Sequence, residues 1–429
     1  MDDNYRVKNR FVQGKSFFAL AIVLSPILGQ YSSIIPGLSL ADIFLGISCI
    51  VLLLLNCEYK FNKSKSEPLV MFWFYAIFIS LLSFLIQQNL NLIVLTRIIR
   101  TSFFVFIILL THNNVNQKVL LKVYKFISLA ASLYIIAQVI VYNISGVLLP
   151  FKLLPMPWMD GRNFGINEAL GWAERWYLRP SAFFLEPGYA AQYLFPALVF
   201  SLWGWFDDDQ KIDLKLVGVI SLALILTTSS QGIYIGIIIL FLYFIVSIKK
   251  KGSYDTAIKN MIMSMILMTS AFIFINSNTF QRSMNYIVGS TTAGGSTAFR
   301  LLRGPAVFLK TPALYQFIGL GHGNIGNFVL RNNIFTNYDP ISMTLIAADY
   351  VNGISSVLLF YGIGGLILWL VFIYTIFKDT DIIGKLIIIT FVILMFVSGT
   401  FITYHTILYI SLVYSCLPKR KKLFINSKI

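Results

Sequence analysis

Runs of about 20 apolar residues recur along the whole chain, and they constrain its fold more than any other feature. Such a run matches the thickness of a bilayer, where every backbone polar group needs a partner within the protein. Helices meet this need, whereas a membrane barrel would require alternating segments of about 10 residues, which the sequence lacks. The sequence therefore predicts an all-α polytopic membrane protein. Its twelve predicted transmembrane helices are residues 16–36, 38–56, 68–87, 93–111, 124–144, 183–203, 215–229, 231–248, 258–277, 353–376, 382–401 and 402–418.

The distribution of charge gives an orientation for these spans. Of the 429 residues, 57% are hydrophobic and only 12% are charged. In a twelve-span arrangement the lysines of the short loops fall on one side together with both termini, and basic loops mark the cytoplasmic side. The net charge of +16 is then explained by the basic cytoplasmic loops and does not indicate nucleic-acid binding. Two larger loops, 145–182 and 278–352, are predicted on the outer face and are too small to fold alone, so residues 1–429 form a single membrane domain.

Arginine and lysine are distributed differently, which topology alone does not require. Only two of the 22 lysines, Lys152 and Lys310, are predicted outside, whereas nine of the 12 arginines lie outside or in the outer half of a span. Arginine binds phosphate oxygens through a planar fork, so an outer phosphate clamp is one interpretation. Contact with anionic lipid headgroups is the other. The nine are Arg97, Arg100, Arg162, Arg175, Arg179, Arg282, Arg300, Arg303 and Arg331.

No pattern in the sequence indicates a cofactor. Cys49, Cys57 and Cys416 lie in or near the inner halves of spans and lack the spacing of a zinc site. The three histidines are scattered, and neither a P-loop nor a Rossmann glycine pattern is present. We therefore expect neither a metal ion nor another cofactor.

The stretch LRPSAFFLEPGYAAQYLFPAL, residues 178–198, places charged side chains at the threshold of an apolar run. Pro187 suits the first position of a helix, so a helix is predicted to begin there with its positive end beside Glu186. Glu186 either caps this helix or orients Arg179 or a sugar hydroxyl. Tryptophans in the preceding loop either stack on sugar rings or anchor the chain at the membrane interface. They are Trp158, Trp172 and Trp176.

The same stretch resembles the conserved arginine, serine and Glu-Pro element of the Wzy-type O-antigen and capsular polysaccharide polymerases, which are similar to the O-antigen ligases. Further pieces follow in that family's order. TTSSQGIYIGIIIL resembles its Ser-x-Ser-Arg-Gly segment, with Gln231 in place of arginine. FRLLRGPAVFL and FIGLGHGN are similar to its loop arginine and Gly-x-Gly turn, and DYVNGISSVLLFYGIGG is similar to the start of its next span. The resemblance covers roughly residues 175–370.

This resemblance implies a metal-independent glycosyltransferase with a GT-C-like bundle at the outer face of a bacterial cytoplasmic membrane. Its donor and acceptor would be undecaprenyl-diphosphate-linked oligosaccharides, with membrane lipids and a chain-length regulator protein as further partners and no nucleic acid. Arginines would neutralise the diphosphate leaving group in place of a metal ion. Arg179, Arg300 and Arg303 would form this clamp. Arg300 and Arg303 share a face if STAFRLLRGP is helical, and Gly304-Pro305 is predicted to end or kink that helix.

Two residues compete as the base that deprotonates the acceptor hydroxyl. Asp349 stands three residues before Asn352, where the related ligases have a histidine, or it caps the tenth span. His322 in GLGHGN is the other candidate, with a structural role in the turn as its alternative. The predicted catalytic residues are Arg179, Glu186, Arg300, Arg303, Asp349 and His322. The predicted substrate-binding residues are Arg97, Arg100, Arg175, Trp176, Tyr189 and Asn352.

Arg97 and Arg100 are predicted in the outer half of the fourth span, where they face a cavity or reach the membrane surface. They either line a path for the diphosphate or pair with Asp42 of the second span.

Two other functions remain open at this point. A secondary transporter, such as a lipid-linked oligosaccharide flippase, also fits twelve spans, but the two halves show no repeat. Polar residues collect in the two outer loops, which favours an enzyme. A ligase that acts on the lipid A core is the nearer alternative, and the missing histidine before Asn352 favours a polymerase.

Overall fold

The computed structural model describes residues 2–35, 37–55, 63–87, 92–159, 178–206, 212–248, 296–339 and 348–417. Within these ranges the chain is helical and has no strand, only two isolated β-bridges. The predicted all-α class is confirmed for these ranges. The fourteen helices described are α1 (Asp2–Leu28), α2 (Leu40–Leu54), α3 (Lys63–Gln87), α4 (Leu92–Asn114), α5 (Gln117–Ser145), α6 (Pro187–Leu202), α7 (Leu214–Leu226), α8 (Ser230–Ile248), α9 (Ser296–Lys310), α10 (Ala313–Ile318), α11 (Ile325–Arg331), α12 (Gly353–Asp379), α13 (Ile382–Val397) and α14 (Tyr404–Ser415).

Apolar helices long enough to cross a membrane are present in the described chain. Four segments meet this condition, in α3, α4, α5 and α12: Ser66–Ile86, Val94–Asn114, Gln117–Ser145 and Gly353–Asp379. Five shorter apolar segments accompany them in α1, α2, α7, α8 and α13. Such a set of helices is that of a membrane protein. The predicted run 258–277 lies outside the described residues, and the count of twelve spans stays a prediction.

The first predicted span ends too late, because α1 stops at Leu28 and not at residue 36. Beyond α1 the chain meets the loop that follows α5. The Ser32 N–H donates to the Pro157 carbonyl at 2.9 Å, and Tyr31 stacks on Trp158 with ring centroids 5.0 Å apart. The backbone here finds its partners in a distant loop, which a count of apolar residues does not reveal. Trp158 is buried in this contact, so the suggestion that it stacks on a sugar ring is wrong.

Two helices, α6 and α14, form the interior of the bundle. Residues Ala190 to Leu202 of α6 and His405 to Ser415 of α14 are all buried. Pro196 inside α6 has no N–H group, which frees the carbonyl of Gln192 four residues earlier. The Tyr409 hydroxyl of α14 donates to that carbonyl at 2.7 Å. The proline in one inner helix is therefore compensated by a side chain of the other.

The helix α9 does not end at Gly304-Pro305, one of the two outcomes predicted there, because it continues through both residues. Pro305 leaves the carbonyl of Leu301 without its helical donor. Asn352 Nδ2, at the start of α12, donates to this carbonyl at 3.4 Å. A Cβ at Gly304 would lie 2.4 Å from Ser355 Cβ, so glycine is what allows α9 to approach α12. Contacts with α12 thus support the helix where the local sequence would end it.

The helix α12 is interrupted at Gly362, whose φ of 66° and ψ of −170° are not helical. Residues 319–323, which we call the glycine loop, fill this interruption. The Leu320 N–H donates to the Leu359 carbonyl at 2.7 Å, and the Gly321 N–H donates to the Phe360 carbonyl at 2.9 Å. Irregular backbone within a membrane span is tolerated where protein groups satisfy it. The loop therefore inserts into the bundle instead of lying over it.

Candidate functional site

One end of the bundle collects the starts of four helices. Asp42 in the first turn of α2 accepts a hydrogen bond from the Tyr404 hydroxyl at the start of α14, at 2.6 Å. Tyr189 in the first turn of α6 stacks on His405 of α14 with ring centroids 5.8 Å apart. The first N–H of α12 donates at 2.7 Å to the carbonyl of Ser398, the C-cap residue of α13 in the link to α14. Helix N-termini carry free N–H groups and partial positive charge, so this region favours anions. We call it the polar end: the starts of α2, α6, α12 and α14 with the first three turns of α4.

Arg100 of α4 lies in the polar end between two helix starts. Its Nη2 is 3.2 Å from Asp42 Oδ2 and donates to the Tyr404 hydroxyl at 2.7 Å. The Asp42 side chain is only 5% exposed, whereas that of Arg100 is 35% exposed. The pairing with Asp42 that the sequence suggested is therefore present for Arg100. Part of the arginine stays open to a ligand.

Arg97, one turn earlier on α4, pairs with a different carboxylate. Its Nη1 lies 2.5 Å from Asp349 Oδ2, and the side chains are 40% and 19% exposed. The Gly326 N–H in α11 donates to Asp349 Oδ1 at 3.2 Å. Asp349 does not cap α12, because Asn352 holds the N-cap position. A predicted substrate residue and a predicted base thus contact each other directly.

His322 lies in the glycine loop on the inner side of the polar end. Its Nε2 is 3.2 Å from the Thr101 hydroxyl of α4, and its Nδ1 is 2.5 Å from the Tyr361 hydroxyl of α12. Its backbone N–H donates to Ser80 Oγ of α3 at 3.2 Å. Both ring nitrogens contact hydroxyls, so His322 as placed joins three helices. A role as base would require it to give up one of these contacts.

Arg303 points into the protein, and its side chain is fully buried. Nε donates to Asp339 Oδ1 at 2.7 Å, while Nη1 and Nη2 donate to the carbonyls of Tyr350 and Ala348 at 2.6 and 3.0 Å. These two carbonyls flank Asp349. Arg303 therefore holds the backbone that presents Asp349 to Arg97. Its geometry is that of a positioning residue and not that of a member of an open clamp.

The helix start predicted at Pro187 is confirmed, with Pro187 as the first residue of α6. Glu186 takes the N-cap position, but its side chain makes no capping hydrogen bond to the helix. Arg179 and Glu186 are both partly buried, at the two ends of one turn. Three predicted site residues lie outside what the structure describes: Arg175, Trp176 and the side chain of Arg300.

Two glutamines hold the turn before α6, and the sequence analysis did not single them out. The Leu185 N–H donates to Gln30 Oε1. The Ala182 N–H donates to Gln138 Oε1 at 2.9 Å, and Gln138 Nε2 donates back to the Ala182 carbonyl at 3.2 Å. Ala182 has a φ of 52°, which an alanine adopts only where its surroundings impose it. The signal in the sequence that could have identified these residues was a single glutamine within an apolar run.

A neutral polar group adjoins the polar end at the first turns of α6. Gln192 Nε2 donates to Gln231 Oε1 at 3.0 Å, and Thr400 Oγ1 donates to Gln192 Oε1 at 3.2 Å. A Cβ at Gly188 would lie 3.4 Å from Gln231 Nε2. Gln231, which stands where the resembled family has arginine, thus adds a neutral amide beside the start of α6.

The polar end offers two partly exposed guanidinium groups, those of Arg97 and Arg100, to an anionic ligand. Each is balanced by one carboxylate, so a phosphate would bind by competing with that carboxylate for the arginine. Binding of a phosphate group to one of these arginines would therefore free the carboxylate of the aspartate that is paired with it. Comparison with known proteins adds no assignment, since no protein-family model and no curated protein sequence matches the chain.

Proposed function

We propose that this protein is a polysaccharide polymerase, a glycosyltransferase that joins undecaprenyl-diphosphate-linked oligosaccharide repeats at the outer face of a bacterial cytoplasmic membrane. The pair Arg97 and Arg100, partly exposed where four helices begin, carries the proposal. Arginine forks beside helix N-termini suit a diphosphate, and apolar helices supply the setting that a polyprenyl lipid needs. Twelve spans, a GT-C-like bundle, cytoplasmic termini and an outward polar end are part of what we propose.

The reaction would be a direct displacement at the anomeric carbon of one lipid-linked glycan. A hydroxyl of the second glycan attacks this carbon, and the bond from carbon to the phosphate oxygen breaks. The lipid diphosphate leaves with the electron pair, and Arg97 and Arg100 stabilise the charge that develops on it. The proton of the attacking hydroxyl passes to a protein base. No nucleotide is consumed or released in this reaction.

Asp349 is the base that the geometry favours. Phosphate oxygens would compete with Asp349 Oδ2 for Arg97 Nη1, so binding of the diphosphate frees the carboxylate. The freed carboxylate can then accept the hydroxyl proton. His322 would first have to leave Thr101 or Tyr361. Arg303 acts through the backbone on both sides of Asp349.

Residues at the start of α6 would bind the sugars beside the diphosphate. Arg179 and Glu186 frame the turn before α6, and the Tyr189 ring lies one turn further along. A carboxylate and a guanidinium can each bind sugar hydroxyls, and an aromatic ring can pack against a sugar face. A chain-length regulator protein and the surrounding lipids are the further partners we propose.

Deletion of the gene tests the proposal when surface glycan is separated on a gel. Loss of a polymerase leaves single repeats on their anchor, whereas loss of a ligase leaves anchor without repeats. Loss of a flippase traps repeats on the cytoplasmic side. Long chains in the deletion strain, or anchor without any repeat, would contradict a polymerase. Complementation with the wild-type gene should restore the ladder.

One observation favours a flippase as the second candidate. The interruption of α12 at Gly362 is a discontinuous helix, which many transporters place at their substrate site. Here, however, the interruption is filled by the Leu320 and Gly321 N–H groups. Trapped repeats in the deletion strain would favour this alternative over the polymerase.

A further inference from the structure

The helix α9 buries a charged side chain and exposes apolar ones, the reverse of a helix at a water-exposed surface. The side that packs into the protein carries Arg303 and Gly304, which are buried along with Val307. The opposite side is exposed and apolar. Its largest exposed side chains are those of Leu302 at 44% and Leu309 at 76%, with Pro305 between them. A soluble surface would show the opposite pattern, with the polar side chains outside.

The short helix α10 continues this apolar surface. Leu314 is 58% exposed and Phe317 is 63% exposed. From within α10, Gln316 Nε2 donates to the carbonyls of Phe308 in α9 and of Thr311 in the link between the two helices, at 3.1 and 2.8 Å. The Thr311 hydroxyl also donates to the Val307 carbonyl at 2.8 Å. The carbonyls of Val307 and Phe308 near the end of α9 thus have donors within the protein, which is the condition for backbone in contact with lipid.

The position of α10 along α12 places it at membrane depth. A Cβ at Gly362 would overlap the carbonyl oxygen of Phe317, so the end of α10 abuts the interruption of α12. Gly362 lies nine residues beyond Gly353, the first residue of α12. At 1.5 Å per residue this is about 14 Å along the helix, against a hydrocarbon layer of about 30 Å. Since α12 is one of the four membrane-length helices, α10 would lie within the hydrocarbon layer that α12 would cross.

The end of α10 adjoins a helix of membrane length that also exposes apolar side chains. The Ser83 hydroxyl of α3 donates to the Leu320 carbonyl, just after α10. α3 contains the membrane-length segment Ser66–Ile86 and exposes Phe78 and Leu81. The end of α10 therefore lies beside α3, and both helices expose apolar side chains. Lys310, at the end of α9, donates from Nζ to the Phe335 carbonyl at 2.6 Å, so its charged group turns away from this surface.

We infer that α9 and α10 lie against the lipid bilayer, with Leu302, Leu309, Leu314 and Phe317 in contact with acyl chains. The second large loop, which the sequence predicted on the outer face, is then partly embedded in the membrane. Acyl chains fit this surface better than a protein partner does, because it adjoins α3, a helix of membrane length that also exposes apolar side chains. The inference holds for any function of the polar end.

Fluorescence quenching in vesicles tests the inference. Cysteine is introduced singly at Leu309, Leu314 or Phe317 in a Cys57→Ser background, because Cys49 and Cys416 are buried and resist labelling. A small fluorophore is attached, and the protein is reconstituted in phosphatidylcholine and phosphatidylglycerol with doxyl-labelled acyl chains. Iodide serves as the quencher in water.

Two control sites define the limits of the experiment. Phe78→Cys on α3 reports lipid, and Asn337→Cys in the exposed turn after α11 reports water. We expect the labels at 314 and 317 to lose fluorescence to doxyl lipid as the label at 78 does, and to resist iodide. Photoactivatable lipid should also label 296–318 in the unmodified chain, which removes dependence on the variants. Iodide quenching equal to that at 337, or absence of lipid label from 296–318, would overturn the inference.

Discussion

Replacing Arg303 by methionine is expected to destabilise the protein by about 3–5 kcal/mol, the usual cost of breaking a buried ion pair. The side chain is fully buried and binds Asp339 and the carbonyls of Ala348 and Tyr350. Methionine fills much of the same volume but leaves a buried carboxylate and two carbonyls without their donor. Each unsatisfied carbonyl alone costs about 1–3 kcal/mol, so the loss should reach the upper part of the range.

Arg303→Lys separates the charge from the geometry of the fork. Lysine keeps a positive charge near Asp339, but it cannot serve two carbonyls in the plane of a guanidinium. We expect a smaller loss of about 1–3 kcal/mol. Arg331→Met is the matched control, because Arg331 is exposed at the end of α11 and its replacement should change stability by at most about 0.5 kcal/mol.

The assay is reversible unfolding of the purified proteins in mixed micelles, with dodecyl sulfate as the denaturant and circular dichroism as the signal. The unfolding free energies of the four proteins are compared at one lipid-mimetic composition. Stability of Arg303→Met equal to that of Arg331→Met would refute the internal network. Arg303 would then again be a candidate for the open phosphate clamp that the sequence predicted.

Three further changes test contacts around the polar end by the same unfolding assay. Gly319→Ala should cost about 1–3 kcal/mol because the φ of 86° and the nearby Phe360 carbonyl both require glycine. Gly46→Ala, with open space around it, is its control and should be neutral or gain up to about 1 kcal/mol; equal losses from both would contradict the docked glycine loop. Asn352→Ala should cost about 1 kcal/mol as a lost N-cap, and a smaller loss from Asn352→Ser is expected, so equal losses would argue against capping. Tyr404→Phe should cost about 1–2 kcal/mol by removing a hydroxyl shared by an ion pair, and an unchanged stability would show that this hydroxyl bond is not formed.

The long apolar helices of the described chain could be located from sequence because each apolar run ends at turn-forming or polar residues, whereas α10 and α11 could not. Pro187 marked the start of α6 by its fixed φ, and the structure has it as the first helical residue. Asp42 could be suggested as a partner of Arg97 or Arg100 because isolated charges in neighbouring spans are costly unless paired. Arg100 makes this pair.

Contacts between distant segments could not be predicted in the same way. Arg97 and Asp349 are 252 positions apart, and nothing in either local sequence indicates that they meet. Helical spacing predicts that Arg303 shares a face with Arg300. Only the packing of α9 against α12 determines that the Arg303 side chain is buried. The interruption at Gly362 depends on N–H groups that the glycine loop supplies, and glycine alone is common in membrane helices.

The most direct test of the central claim is polymer formation by the purified protein in nanodiscs. The assay supplies the proposed substrate, the undecaprenyl-diphosphate-linked repeat isolated from the deletion strain, and equal amounts of folded protein are compared. The wild type and Arg331→Lys should build a ladder of chain lengths. Arg97→Lys and Arg100→Lys should each lose about 3 kcal/mol of transition-state stabilisation, roughly a hundredfold in rate, because the fork is lost while the charge remains. A wild-type protein that builds no ladder, or Arg97→Lys and Arg100→Lys variants that build it at the wild-type rate, would contradict the account.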